Sequence, residues 1–158
     1  MSNEGKRPPR LPPRWFVRLV WRGHRGLYRL AGGRVGLWRP GANRWGTLTL
    51  RTRVRRTGKE RAVIVGYFED GPNLVPLAMN GWADGEPAWW LNLQADPAAT
   101  VDLADGQRLV TARAAEGEER ARLWHRWRGF GANLDAYAAI RSSETAVVVL
   151  EPQPTPGR

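Results

Sequence analysis

The chain of 158 residues is long enough for one domain with a hydrophobic core and too short for two ordinary ones. It contains no cysteine, which excludes disulfides, thiolate metal sites and cysteine nucleophiles. The formal net charge of +10 is unevenly distributed, because residues 1–61 hold 17 of the 25 Lys and Arg side chains and only two of the 15 acidic ones. This imbalance favours an anionic partner, such as a phosphorylated ligand, a nucleic acid or a membrane surface. An arginine-rich solvated surface is the alternative.

Residues 1–13 are basic and rich in proline, which predicts a flexible tail and is unlike a secretory signal. Residues 14–31 have helical periodicity, with one apolar face and one face that carries Arg18, Arg22, Arg25 and Arg29. We expect this helix to pack over the rest of the domain, and a peripheral contact with an anionic membrane surface is the alternative. Because no run of about 18 apolar residues exists, we expect a cytoplasmic protein, with a peripheral position at the inner face of the membrane as the second option.

Six strands are predicted next, from alternating apolar and polar residues bounded by glycine, proline and asparagine. They cover residues 47–54, 62–68, 74–79, 100–103, 108–114 and 146–150. The fourth and fifth strands should pair around Asp105-Gly106, because this dipeptide is a strong signal for a two-residue hairpin.

Three helices are predicted among these strands. Pro87 suits the first position of a short helix that ends at Asp96-Pro97. A second helix begins near Glu116 with acidic residues and continues with arginines, an order that matches the helix dipole. Asn133 is expected to cap a third helix that continues to Ile140. The elements predict an α+β fold, a barrel of about six mostly antiparallel strands with helices packed around it, in one domain over residues 14–151 followed by a polar tail over residues 152–158.

Cations are concentrated at the turn between the first two predicted strands. They are Arg53, Arg55, Arg56, Lys59 and Arg61, and they surround Thr57-Gly58. Guanidinium groups, a hydroxyl and the amides of a tight glycine turn are groups that bind phosphate or carboxylate. An exposed hairpin tip is the alternative. Hairpin tips rarely carry so many cations, and we therefore favour anion binding.

A glycine-rich loop, residues 80–86, leads into the helix predicted to begin at Pro87. Backbone N–H groups at a helix start lack partners and can bind an anion or the edge of a ring. Trp89 and Asn92 lie three residues apart on one face of this helix, although a tryptophan in such a position is more often part of the core. Tyr137 could donate a proton or a hydrogen bond to an acceptor, with a purely structural role as the alternative. The two histidines have no neighbouring ligands at metal spacing, so no metal site is expected.

These stretches together resemble a known family, the deazaflavin-dependent nitroreductases and quinone reductases. Residues 50–61, L-R-T-R-V-R-R-T-G-K-E-R, resemble the family's L-T-T-T-G-R-K-S-G-x-x-R. Residues 80–97, which contain P-A-W-W-L-N-L-Q-A-D-P, resemble its G-G-x-x-x-x-P-x-W-x-x-N-L-x-A-N-P. The likeness continues through residues 112–150, and the second string is its most specific part.

The resemblance implies a split β-barrel related to the FMN-binding barrels, and an oxidoreductase that uses coenzyme F420, a deazaflavin with a phosphodiester-linked oligoglutamate tail; FMN is the alternative cofactor. By the same resemblance, the phosphate and the acidic tail would be bound by Arg55, Arg56, Thr57, Gly58 and Arg61. The surroundings of the ring would be formed by Asn80, Gly81, Pro87, Trp89 and Asn92. Tyr137 corresponds to a family tyrosine near the acceptor and is the candidate catalytic residue.

The chain departs from the family pattern mainly in the acceptor half. Met79 stands in place of a serine, Trp82 in place of a glycine and Leu134 in place of a tyrosine, and residues 142–147 lack the family's arginine and proline. Met79 and Trp82 would narrow the mouth of the substrate pocket, which favours a flat apolar acceptor, a quinone or a nitroaromatic compound.

Three hypotheses remain open from the sequence. The first is an F420-dependent oxidoreductase that transfers hydride to a small acceptor. The second is a non-catalytic binder of F420, FMN or a haem-like ring with a decayed acceptor site. The third is a basic nucleic-acid-binding module, which we do not expect because the tryptophans cluster where a pocket would form. The oligomeric state is open, with a homodimer as one option.

Overall fold

The computed structural model describes residues 36–131 and 133–154. The predicted tail over residues 1–13 and the predicted helix over residues 14–31 lie outside the described residues. Within them, six strands form the sheet: β1 (Gly46–Arg53), β2 (Glu60–Asp70), β3 (Asn73–Pro76), β4 (Ala98–Leu103), β5 (Gly106–Ala114) and β6 (Val148–Pro152). Every strand pair is antiparallel, and the order β1-β2-β3-β6-β5-β4 closes into a barrel through the pairing of β1 with β4. The predicted α+β barrel of six strands is confirmed.

Several predicted strand limits differ from the structure. The loop between β4 and β5 is Ala104-Asp105, because Leu103 pairs with Gly106, so the predicted hairpin centre at Asp105-Gly106 is one residue too late. β3 ends at Pro76 and not at Met79. β6 continues to Pro152, and the amide of Gln153 still donates to the carbonyl of Leu109 at 2.9 Å. The barrel pairing therefore extends past the predicted end at residue 150.

The helices lie between the strands in the sequence and are not part of the barrel sheet. A single 3-10 turn (Asn80–Trp82) precedes α1 (Ala88–Ala95), and α2 (Gly117–Arg128) and α3 (Leu134–Ala138) connect β5 to β6. Pro87 stands one position before α1 with extended backbone, so it is the cap residue and not the first helical residue. Asn133 precedes α3 but makes no side-chain capping bond. None of the helices in the described part of the chain is long and apolar enough to cross a membrane.

Two apolar clusters cover the two faces of the sheet. The first includes Leu48 and Leu50 of β1 and packs around Trp89, Trp90 and Leu93 of α1. Since side chains alternate along a strand, the neighbouring positions of β2, β3 and β6 contribute to the second cluster, which packs against Leu123 and Trp127 of α2. Complete burial of a leucine stabilises the folded state by about 1.5–3 kcal/mol, so both clusters fix the position of a helix on the barrel.

Candidate cofactor-binding site

The turn between β1 and β2 has the compact backbone expected of a glycine turn. The amides of Thr57 and Gly58 donate to the carbonyl of Val54 at 3.2 and 2.8 Å. The hydroxyl of Thr57 accepts a hydrogen bond from the amide of Lys59 at 3.3 Å. Gly58 has φ +69°, while a Cβ there would meet no atom within 4 Å. Glycine therefore suits this position because of its left-handed backbone and not because of crowding.

Asn92 of α1 fixes the start of this turn through hydrogen bonds. Its side chain is 3% exposed, and its Oδ1 accepts hydrogen bonds from the backbone amide and from Nη1 of Arg55, each at 3.2 Å. Its Nδ2 donates to the hydroxyl of Thr52, also at 3.2 Å. A buried amide that uses both of its ends in this way positions the start of the turn. The structure thus brings together Asn92 and Arg55, and adds Thr52, which the sequence reasoning did not single out.

The charged side chains of this turn differ from nearly all of the other described arginines, with Arg44 the exception that also lacks a carboxylate partner among the described residues. The cationic turn, defined as Arg53, Arg55, Arg56, Lys59 and Arg61, forms no ion pair with any carboxylate among residues 36–131 and 133–154, and all five residues are exposed. Nine other arginines in the same part of the chain have a carboxylate within 4.0 Å: Arg39, Arg51, Arg108, Arg113, Arg120, Arg122, Arg126, Arg128 and Arg141. The cationic turn is therefore available to an external anion.

The loop over residues 79–86 has an unusual backbone. Three successive residues are left-handed: Asn80 at φ +44°, Gly81 at +60° and Trp82 at +63°. For a residue with a Cβ this region costs about 1–2 kcal/mol, so the conformation must be supported by its surroundings. Part of that support comes from the amide group of Asn80, which donates to the carbonyls of Asp84 and Gly85 at 3.2 and 3.3 Å.

Trp82 and Tyr137, predicted separately as site residues, are in contact. Their rings are stacked with centroids 5.9 Å apart and planes within 16°. Both side chains are half-buried, Leu134 and Trp82 each pack against the second apolar cluster, and Met79 at the start of the loop is 37% exposed. These four side chains supply aromatic and aliphatic surface that is only partly covered by the described residues.

Arg141 is a further residue of this region that the sequence reasoning did not single out. Its side chain is completely buried and hydrogen-bonds to the loop carbonyls of Ala78, Ala83 and Gly85 over 2.8–3.2 Å. It lies four residues after Tyr137 and three after the end of α3, and no local pattern in the sequence distinguishes it. Next to it, Ser142 donates its backbone amide and then its hydroxyl to the Asp84 carboxylate, which lowers the pKa of that carboxyl below its ordinary value.

The remaining predicted residues lie in and before α1. Trp89 is 9% exposed and belongs to the first apolar cluster. Its ring lies edge-to-face with that of Trp90, and the two ring centroids are 6.4 Å apart. Pro87 is buried where the loop enters the helix. Since a helix rises about 1.5 Å per residue, α1 places the end of the loop at Pro87 about 8 Å from Asn92 beneath the cationic turn. One short helix therefore connects the cationic half of the candidate site to its apolar half.

One surface hollow does not coincide with these residues. It measures about 270 Å³ and is lined by Gly117, Arg120, Ala121, Trp124 and Arg128 on the outer face of α2. None of the predicted site residues lines it. Among the described residues, no group of three or more His, Cys, Asp or Glu side chains is arranged to hold a metal ion.

Comparison with known proteins settles the family. The model of the F420H(2)-dependent quinone reductase family matches residues 20–152. The chain belongs to the F420H(2)-dependent quinone reductase family. It is 30% identical over 143 residues to an F420H(2)-dependent quinone reductase of Mycobacterium tuberculosis (strain ATCC 25618 / H37Rv), a match that covers 87% of this chain and 95% of that protein.

Solved structures agree with this family assignment. An F420-H2 dependent reductase superposes with a TM-score of 0.60 at 25% identity, covering 66% of this chain and 93% of that one. A structure described as a domain-swapped dimer superposes with a TM-score of 0.64 at 24% identity, covering 86% and 98%, and shows the same fold. As a member of the quinone reductase family, the chain is an oxidoreductase that uses coenzyme F420.

The residues of the site fit this cofactor. A phosphodiester and an oligoglutamate tail need several cations that are not already neutralised, and the cationic turn provides five exposed ones. The amide of Arg55 is already used by Asn92, so the anion would be bound mainly by side chains. The predicted roles of the individual residues in cofactor and acceptor binding stay predictions.

Proposed function

We propose that the cationic turn binds the phosphate and carboxylates of the F420 tail. The single observation that supports this is the contrast in ion pairing, since the five cations of the turn have no carboxylate partner among the described residues while nine other arginines have one. Arg55 is the best placed of the five, because Asn92 fixes both its backbone and its guanidinium. Thr57 and Gly58 shape the turn, and Arg56 and Arg61 extend the positive surface.

The acceptor is proposed to be a flat apolar quinone that binds beside Trp82 and Tyr137. The parallel stack of these two rings offers an aromatic plane, and Met79 and Leu134 add aliphatic surface around it. Planar rings gain both apolar burial and stacking energy on such a surface. A nitroaromatic compound has the same shape, and comparing the two acceptors at equal concentration distinguishes them.

Tyr137 is proposed as the residue that assists the reaction directly. When bound, reduced F420 supplies the hydride to the acceptor. The phenol of Tyr137 would donate a hydrogen bond to a quinone oxygen, which stabilises the negative charge that develops there. Trp82, Met79 and Leu134 would exclude water from the acceptor, and Asn80, Gly81, Pro87 and Trp89 would shape the surroundings of the ring.

A titration tests the cofactor assignment. The purified protein is titrated with F420 and, separately, with FMN, and binding is followed by cofactor fluorescence. We expect saturable binding of F420 that is much tighter than that of FMN, and oxidation of reduced F420 when a naphthoquinone is added. Tight binding without oxidation by any quinone would instead support the non-catalytic binder, and equal affinity for FMN would contradict the preference for F420.

Partners and location are tested by three simple measurements. The comparisons give no support to the nucleic-acid-binding hypothesis, and we expect no binding to single-stranded DNA. Binding with a steep salt dependence would support that hypothesis instead. Peripheral membrane contact is tested by sedimentation with vesicles that contain anionic lipid. A homodimer is tested by light scattering of the full chain.

A further inference from the structure

We propose that Arg141 is a positioning residue of the acceptor site, which holds the left-handed 79–86 loop so that Trp82 stays stacked on Tyr137. The side chain of Arg141, including its guanidinium, has no exposed surface. A fully buried charge persists in a protein only when it is paired and hydrogen-bonded. Three of its five partners, Ala83, Gly85 and Glu86, lie in this loop, and a fourth, Ala78, immediately precedes it.

The hydrogen bonds of Arg141 span the loop from one end to the other. Its Nη1 donates to the carbonyl of Ala78 at 3.2 Å, its Nε to that of Ala83 at 3.1 Å and its Nη2 to that of Gly85 at 2.8 Å. Glu86 supplies the opposite charge, with its Oε1 3.7 Å from Nη2. The planar fork of a guanidinium can reach acceptors in several directions at once, which a lysine ammonium cannot do.

A second set of bonds orients Arg141 itself. Its Nη1 also donates to the hydroxyl of buried Thr145 at 2.8 Å. This bond fixes the guanidinium relative to the segment that follows α3. Ser142 binds the Asp84 carboxylate with its amide at 2.7 Å and its hydroxyl at 3.0 Å. The segment after α3 therefore contacts the loop at two adjacent positions.

The loop needs this support because of the backbone of Trp82. A bulky residue at φ +63° is a conformational outlier, and such outliers persist where the surrounding structure determines them. Tyr137 stacks on the ring of Trp82, and Arg141, four residues later, hydrogen-bonds the carbonyl of the next residue, Ala83. One short segment of chain thus stabilises both the side chain and the backbone around position 82.

The first test measures stability and does not depend on the proposed function. Urea unfolding is measured for the wild type, Arg141→Lys, Trp82→Gly and the double variant. Because glycine adopts the left-handed backbone without strain, the fall in midpoint caused by Arg141→Lys should be at least halved in the Trp82→Gly background. Arg122→Met, which breaks a bidentate surface pair with Asp70, is the matched control and should show the same fall in both backgrounds. Equal falls for Arg141→Lys in the two backgrounds would overturn the inference.

The second test measures acceptor selectivity and rests on the proposed quinone reductase activity. With saturating reduced F420, kcat/KM is compared for methylnaphthoquinone and for its tert-butyl analogue. Arg141→Lys should lower the preference for the flat quinone about fivefold, as should Trp82→Ala, and combining them should give no further loss. A destabilised but unaltered site would lower both values together and leave the ratio unchanged, which would refute the positioning role. If the wild type reduces neither quinone, the proposed function fails, and the unfolding measurements alone decide whether Arg141 stabilises the loop.

Discussion

The cationic turn and helix α2 both carry several arginines, yet they use them in opposite ways. On α2 and the strands beside it, Arg122 and Arg126 pair with Asp70, and Arg113 binds Glu119 and Glu151. In the turn between β1 and β2, the five cations have no carboxylate partner among the described residues. The two regions therefore differ in the distribution of carboxylates around their arginines, and this difference supports the proposal that the turn binds an anion.

The two regions should therefore respond differently when their arginines are removed. Exposed ion pairs such as those of α2 contribute little individually to folding, about 0.2–1 kcal/mol. Unpaired cations of like sign repel one another, so the charges of the turn do not stabilise the folded state. We expect an anion that binds to the turn to relieve this repulsion. Four experiments follow from this contrast.

The largest effect is expected from the double variant Arg55→Ala/Arg56→Ala. Each charged hydrogen bond to the tail is worth about 1.5–3 kcal/mol, so the dissociation constant for F420 should rise by about 100-fold or more. The thermal midpoint should change little, because neither side chain has a carboxylate partner among the described residues, and Oδ1 of Asn92, which loses the Arg55 guanidinium, keeps the backbone amide of residue 55. The control Arg122→Ala/Arg126→Ala should show the reverse pattern, and similar losses of F420 affinity in both variants would remove the distinction between the regions.

A second, smaller effect on binding is expected from Asn92→Ala. The variant leaves the buried hydroxyl of Thr52 and the amide of Arg55 without their partner, which costs about 1–3 kcal/mol of folding free energy. F420 affinity should fall about tenfold, because the turn loses the bond that orients Arg55. Gln94→Ala, an exposed position on the same helix, is the control and should change neither quantity. Unfolding in urea and fluorescence titration measure the two effects.

Salt should affect binding more than it affects folding. Raising the ionic strength from about 0.05 to 0.5 M shortens the screening length severalfold, so F420 affinity should fall steadily in the wild type. The slope of log affinity against log salt should be shallower in Arg55→Ala/Arg56→Ala. An identical slope in both proteins would mean that other cations bind the tail.

The smallest effect concerns the acid side of the stability profile. Hydrogen bonds from Arg122 lower the pKa of Asp70, and those from Arg113 lower the pKa of Glu119. A carboxyl whose pKa is lower in the folded state stabilises the protein above its unfolded pKa, and the stabilisation is lost as the pH falls through the folded value. The difference in melting temperature between wild type and Arg122→Met should therefore shrink from pH 7 to pH 3. A constant difference would show that packing, and not charge, accounts for the effect of Arg122.

Much of the fold could be predicted from local pattern, and the reason is visible in particular strands. β6 is a continuous apolar run because Val148 and Leu150 enter the first cluster and Val149 the second, whereas β1 alternates because only Leu48 and Leu50 enter a cluster. Strand limits were less accurate. β4 ends before Ala104-Asp105 and β5 begins after it, because Leu103 pairs with Gly106. This register belongs to the pairing of the whole barrel and not to the Asp-Gly dipeptide.

In the site, the cationic turn and Asn92 could be predicted, whereas Thr52 and Arg141 could not. The cationic turn is evident because its composition is unusual. The roles of Thr52 and Arg141 depend on partners 40 and 56–63 residues away in the chain, and no local pattern encodes such contacts. The contact of Trp82 with Tyr137 also depends on the left-handed backbone of the loop, which a tryptophan in the sequence gives no reason to expect.

The left-handed backbone at position 82 has a consequence for the size of the proposed acceptor site. Because glycine adopts this conformation without steric strain, replacing the indole by glycine would enlarge the proposed site while the loop keeps its backbone. One substitution would thus exchange a narrow site for an open one, and the reverse substitution would restore it.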